Sequence, residues 1–182
     1  MSICSNGDVP VLAGEYELDQ FDNEDANYLI LVDKDGTHRA SARLLRTDGP
    51  HLLGDLYTGL CRGRVPMGER TREITRFCLD RHQHAGERRS ARNQLVTTLV
   101  NYALAAGIED YTGVAEIDWF EQVCRFGWAC EALGPAVRID GRWLVGLHIL
   151  VDEDTPALLR QGGVYEPATL GLLSSVGPEM VQ

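Results

Sequence analysis

The alternation of apolar and polar positions divides the chain into short extended runs and two well-formed helices. Tyr28-Leu29-Ile30-Leu31-Val32 is an apolar run, Asp33-Lys34-Asp35-Gly36 is a turn, and His38 to Leu45 returns, which predicts a β-hairpin. On the returning strand Arg39, Ser41 and Arg43 share one face, and Ala40, Ala42 and Leu44 share the other. His51 to Leu60 reads as a short helix, and Cys61 to Arg70 as a loop broken by Gly63, Pro66 and Gly68. A second extended run, Arg72-Glu73-Ile74-Thr75-Arg76-Phe77-Cys78-Leu79-Asp80, opens on charge and ends towards a core.

Arg81 to Glu87 reads as a polar turn. From Ser90 to Ala106, Leu95, Val96, Leu99, Val100, Ala103 and Leu104 recur at helical spacing, and Gly107 stands where a C′ glycine belongs. A strand at Tyr111 to Ala115 and a helix from Ile117 to Phe126, stopped by Gly127, follow. A turn lies within Arg138 to Trp143, the last long strand runs from Trp143 to Val151, and a short helix starts at Pro156. Asp8 to Asp25 reads as a solvated acidic loop, and the tail from Gly162 to Gln182 is expected to be partly mobile. Strands alternating with helices predict a mixed α/β sandwich, and nothing marks a second domain in residues 1–182.

Composition changes this picture in three ways. An apolar content of 44% over 182 residues suits one globular domain. No apolar run approaches the roughly 20 residues of a membrane span, and the first residues lack a secretory signal, so the cytoplasm is the expected compartment. The net charge of −10 argues against nucleic acid as a partner. Yet Arg39 to Arg92 is locally basic and almost purely arginine, which suits either a solvated surface or a face for an acidic or phosphate-bearing partner.

The chemistry is less conspicuous. Five cysteines without a Cys-x-x-Cys pair read as reduced thiols, and Cys78, His82 and His84 make an incomplete metal set, so no metal is expected. The aromatic residues Trp119, Phe120, Phe126, Trp128 and Trp143 read as core before substrate cage. Gln83-His84-Ala85-Gly86-Glu87-Arg88 nearly fits the pyrophosphate loop of acetyl-coenzyme-A-dependent N-acetyltransferases, with Arg88 in place of the final small residue.

Five linked motifs carry a resemblance: Asp19-Gln20-Phe21-Asp22, Ala42-Arg43-Leu44-Leu45, Pro50-His51-Leu52-Leu53, Glu73-Ile74-Thr75-Arg76-Phe77, and Gly127-Trp128 with Leu133-Gly134-Pro135. In order and spacing the stretch from Val9 to Val151 resembles the acyl-homoserine-lactone synthase, or autoinducer synthase, family. The resemblance implies an α/β fold, a three-layer α-β-α sandwich around a twisted mixed sheet similar to that of the N-acetyltransferases. It implies S-adenosylmethionine as an amino-group substrate, no separate cofactor, and acyl-carrier protein as the partner that delivers an acyl thioester.

The family's charged positions fall on Asp19, Asp22, Arg43, Glu73 and Arg76. Glu73 is the first choice for the base that takes the α-amine proton, with Asp19 as its rival. Asp22, Arg43, Arg76 and Phe77 are expected to bind substrate or shape its pocket. One departure stands against the pattern. Family members carry an N-terminal segment with an Arg, a Phe and a Trp, whereas here Gly7 or Asp8 falls where the Trp is expected and residues 1–8 diverge. A coenzyme-A-dependent N-acyltransferase and an inactive synthase relic are the alternatives. Glu73 and Arg76 pose a geometric problem of their own: in a regular strand, residues three apart point to opposite faces.

Overall fold

The structure, a computed structural model, describes residues 19–168. Strands β1 (Asn27–Val32) and β2 (His38–Arg46) form the expected antiparallel hairpin. Helix α1 (Leu52–Asp55) and a 3₁₀ turn (Thr58–Leu60) lead to β3 (Thr71–Leu79). Helix α2 (Ala85–Ala106) then crosses to β4 (Asp110–Glu116) and α3 (Ile117–Cys124). The chain continues through β5 (Ala129–Ala132), β6 (Val137–Ile139), β7 (Arg142–Leu150) and α4 (Thr155–Gln161).

The strands make one mixed sheet in the order β1-β2-β3-β4-β7-β5, with β6 paired to β7. Among the described strands only β3 and β4 pair in parallel, and a parallel pair needs a long crossover, which α2 supplies. Leu95, Val96, Leu99, Val100 and Ala103 of α2 pack on Ala40, Ala42 and Leu44 of β2, and Val123 and Leu159 of α3 and α4 join the same cluster. The opposite face carries the smaller third layer. There Gly146 faces Leu53 and Leu60, and a Cβ on it would lie 3.3 and 3.4 Å from their side chains.

Helix α2 begins five residues earlier than its apolar spacing predicts. The His84 N–H donates to Glu87 Oε2 at 2.9 Å, so a polar first turn is capped and held in the helix. Gly107 closes α2 in the left-handed conformation expected of it, at φ 68°. The short strands β5 and β6 are absent from the sequence-based expectation, because their exposed residues lack a period-two signal. Trp143 also departs from the core reading: it is 54% exposed on the β6–β7 hairpin, while Phe126 and Trp128 are buried. Cys61, Cys124 and Cys130 are free thiols, but Cys78 is disulfide-bonded, so the expectation of five reduced cysteines fails there.

The start of the expected mobile tail is packed. Val164 is buried against α2, and the Glu166 N–H donates to Thr97 Oγ1 at 2.8 Å. The remainder of that tail and the divergent start, residues 1–8, lie outside the described residues.

Two glycines allow α4 to seat. A Cβ on Gly127, at φ 103°, would stand 2.6 Å from Leu158 O, and one on Gly162 would stand 2.4 Å from Phe126 O. Backbone cannot yield there as a side chain can. Gly127→Ala is therefore expected to cost about 2 kcal/mol or more, combining the clash with left-handed strain. Gly63→Ala, where a Cβ meets nothing within 4 Å, should leave the urea midpoint unchanged. Equal midpoints for the two variants would contradict this packing.

Candidate active site

The site begins where the sheet opens. Parallel pairing of β3 with β4 runs from Thr71↔Asp110 to Ile74↔Gly113 and stops, although β3 continues to Leu79 and β4 to Glu116. Gly113 closes the last pair, where a Cβ would lie 3.0 Å from Ile74 O. Beyond it the strands separate into a wedge.

A β-bulge sits on the same stretch. Ser41 pairs with Cys78 and Arg43 with Thr75, so Arg76 and Phe77 together oppose Ala42 alone. Arg76 has φ 47°, a left-handed conformation that costs a non-glycine residue about 1–2 kcal/mol. The bulge resolves the parity problem. Glu73 lies within β3, Phe77 points to the α2 face, and the Arg76 guanidinium returns to the face that carries Arg43 and Glu73.

On that face a buried ionic cluster forms. Arg43, 1% exposed, donates from Nε to Thr75 Oγ1 at 2.9 Å, and from both terminal nitrogens to Asp19 at 2.7 and 3.1 Å. Its Nη1 also reaches Asp22 Oδ1 at 2.6 Å. Arg76 Nη2 lies 3.0 Å from Asp19 and 3.3 Å from Asp22. The acidic segment is therefore not a solvated loop at these positions. Asp19 also accepts the Phe21 N–H at 2.8 Å, which fixes the turn. Burial alone would raise the Asp19 carboxyl, but Arg43, the Phe21 amide and Arg76 hold it down at about 2. Tyr28, opposite Arg43 in the hairpin register, donates its hydroxyl to Asp22; burial and that carboxylate push its pKa up to about 12.

Glu73 stands apart from this cluster. It is 0% exposed, and its two oxygens accept the Leu52 and Leu53 N–H groups at 2.7 Å each. A carboxylate thus caps α1 from another strand, where the helix N-terminus favours negative charge. Burial pushes its carboxyl up, and the two amides with the charges of His51 and Arg43 pull against that. The structure brings Asp19, Asp22, Arg43 and Arg76 into direct contact and places Glu73 on the same face without a direct bond to them. Sequence reasoning missed Tyr28 and Thr75, although their register opposite Arg43 follows from the hairpin and the sheet pairing.

On the other face the wedge opens into two cavities. An apolar one of about 50 Å³ lies between Ile74, Phe77, Val96, Trp119 and Val123. A groove of about 360 Å³ adjoins it through Phe77 and Trp119, whose ring centroids are 5.3 Å apart, and carries Arg88, Arg89 and Arg92. The near-pyrophosphate loop forms the first turn of α2 beside this groove. Among the described residues no group of His, Cys, Asp or Glu is placed to hold a metal ion.

Residues 5–157 match the model of the family described as autoinducer synthase. The chain belongs to that family. An acyl-homoserine-lactone synthase of Ralstonia nicotianae is 31% identical over 158 residues, covering 83% of this chain and 76% of the relative. One of Rhizobium etli is 33% identical over 138 residues, covering 73% and 64%. Among solved structures, a CoA-dependent acyl-homoserine lactone synthase, MesI, superposes with a TM-score of 0.74 at 25% identity, covering 88% of this chain and 80% of that one. TofI in an apo form gives 0.67 at 28%, covering 83% and 79%. The autoinducer synthase is therefore an acyltransferase of α/β fold, as its motifs imply.

Two outcomes follow for this autoinducer synthase. The stabilisation drawn from ionised Asp19 is complete above its ordinary pKa of 3.8 and is lost as pH falls through about 2. Asp19→Asn should flatten the loss of stability over that window, and an unchanged acid limb in urea melts would contradict the pairing. Arg43→Ala leaves two carboxylates facing a buried site and should cost about 3–5 kcal/mol. Arg43→Lys should recover little of it, since an ammonium cannot reproduce the fork.

Proposed function

We propose that this chain makes an acyl-homoserine lactone, a quorum-sensing autoinducer, from S-adenosylmethionine and an acyl thioester. The observation that carries the reading is the wedge between β3 and β4, with the ionic cluster on one side and the apolar cavity and arginine groove on the other. An acyl chain would enter the apolar cavity and place its thioester carbonyl at the wedge. S-adenosylmethionine would meet that carbonyl from the ionic face.

The chemistry starts with a proton. An α-ammonium group has a pKa of about 8 and must lose its proton before the nitrogen can attack. Asp19, held at about 2, is a weak base, whereas Glu73 is pushed up by burial and is the better match. Because both Glu73 oxygens already accept amides, it would act through an ordered water. The amine nitrogen then forms the amide bond as the thioester C–S bond breaks, releasing the carrier thiol. The substrate carboxylate oxygen next attacks the γ-carbon bonded to the sulfonium, and the lactone closes as that C–S bond breaks and methylthioadenosine leaves. No covalent enzyme intermediate is required. TofI, 28% identical, has been solved in a ternary complex with an inhibitor and MTA.

Within this reading Arg43 and Arg76 lock the Asp19–Asp22 turn over the substrate, and Phe77 forms the wall between cavity and groove. Acyl-carrier protein, which is acidic, would dock on the arginines at the start of α2, with Arg88 near the phosphopantetheine. MesI is named CoA-dependent, so the two donors must be compared directly. A cytoplasmic setting is part of the proposal.

Release of methylthioadenosine and acyl-homoserine lactone is the test, with thioesters of both carriers. Glu73→Gln and Arg76→Ala should each lower kcat at least about 100-fold, measured well below the Tm of each variant. Full activity in both would mean that the site lies elsewhere. Carrier-protein thioesters should be preferred, with a preference that fades as salt rises. Equal use of coenzyme-A thioesters at all salt concentrations would overturn the donor assignment.

A further inference from the structure

The apolar cavity beside the wedge is small, and its far walls belong to the core. It opens where β3 and β4 separate, past the Ile74↔Gly113 pair. Gly113 contributes no side chain there, and Leu147, its partner on β7, reaches across the space left free. Leu147 Cδ1 would stand 3.7 Å from a Cβ placed on Gly113, an ordinary van der Waals distance. The buried Leu147 side chain therefore closes the cavity on the β7 side.

The adjoining wall is aromatic and fixed. Phe126 and Trp128 line the cavity with ring centroids 5.9 Å apart, and the Trp128 Nε1–H donates to Val123 O at 2.9 Å. The backbone between the two rings packs tightly on α4 through Gly127 and Gly162. The cavity measures about 50 Å³, and one water-sized group, such as a methylene, needs about 10–15 Å³. There is room for about four carbons beyond a thioester carbonyl. The adjoining groove does not prolong this space, because its walls carry Arg88, Arg89 and Arg92, which suit the phosphate of a carrier arm and not a hydrocarbon.

We propose that this synthase selects a short acyl chain, of about four to six carbons, and that Leu147 sets the limit by closing the cavity over Gly113. This rests on the reading of the chain as a synthase whose acyl group enters this cavity. A longer chain has two places for its surplus methylenes, and both are unfavourable. Inside, they must displace buried core side chains that are already close-packed. Outside, they lie in water among the arginines. A methylene without a place in an apolar pocket forfeits about 10-fold or more in selectivity, so the limit is sharp.

The test gives the full chain S-adenosylmethionine and an equimolar mixture of butanoyl, hexanoyl, octanoyl, decanoyl and dodecanoyl thioesters of one carrier, with the lactones resolved by mass spectrometry. Butanoyl or hexanoyl product should lead, with decanoyl product at least about 10-fold lower. Leu147→Ala should move the preferred chain about two carbons longer, and Leu147→Val, which disturbs the core less, should move it the same way by less. A lead for decanoyl or dodecanoyl in the wild type overturns the limit. An unmoved preference in folded Leu147→Val and Leu147→Ala overturns the role of Leu147. A second readout needs no turnover. In Trp143→Phe, a change on the exposed β6–β7 hairpin, the remaining tryptophans are Trp119 and Trp128, and both line the cavity. Hexanoyl-homoserine lactone should change their fluorescence saturably, with a Kd at least about 10-fold below that of the decanoyl lactone. Tighter binding of the decanoyl lactone, or no saturable change with either, overturns the proposal. If no thioester gives product, the synthase reading fails, and this titration still decides the length limit of the cavity.

Discussion

A guanidinium buried to 1% exposure cannot be left without partners, and this requirement at Arg43 organises the structure. It holds the Asp19–Asp22 turn against the sheet, draws in Tyr28 from β1 and Thr75 from β3, and shares both aspartates with Arg76. Arg76 can share them only because β3 carries an extra residue and accepts a left-handed backbone. The ion cluster and the bulge are two parts of one arrangement. That arrangement lies where β3 leaves β4, so strain and charge meet at the opening in the sheet.

The two faces of the sheet divide the work. One carries the long amphipathic α2 and an aromatic series, Phe77, Trp119, Phe126 and Trp128, which makes a dry wall beside the wedge. The other carries charge: the aspartate–arginine cluster and the Glu73 cap on α1. A reaction joining a fatty acyl group to a charged amino acid derivative needs both environments side by side, and the splayed sheet sets them on either side of one opening.

Much of this is legible in the sequence. The hairpin, the core strand and α2 follow from periodicity, and the five motifs identify the family before any coordinates. Three features are not legible, each for a physical reason. The first turn of α2 is polar and is held by a capping box that apolar spacing does not register. The strands β5 and β6 are short, mostly exposed and held by β7, so their pattern carries little signal. The capping of α1 by Glu73 joins residues 20 and 21 positions apart, and only the register of the folded sheet makes them neighbours. The parity of Glu73 and Arg76 in a regular strand poses the problem, but the left-handed backbone at Arg76 that solves it has no residue-type signature outside glycine.

Calorimetric titration of the full chain with S-adenosylmethionine tests the account most directly. The account predicts saturable binding at one site, competed by methylthioadenosine and lost in Arg43→Lys. No saturable heat in a folded wild-type chain would contradict it.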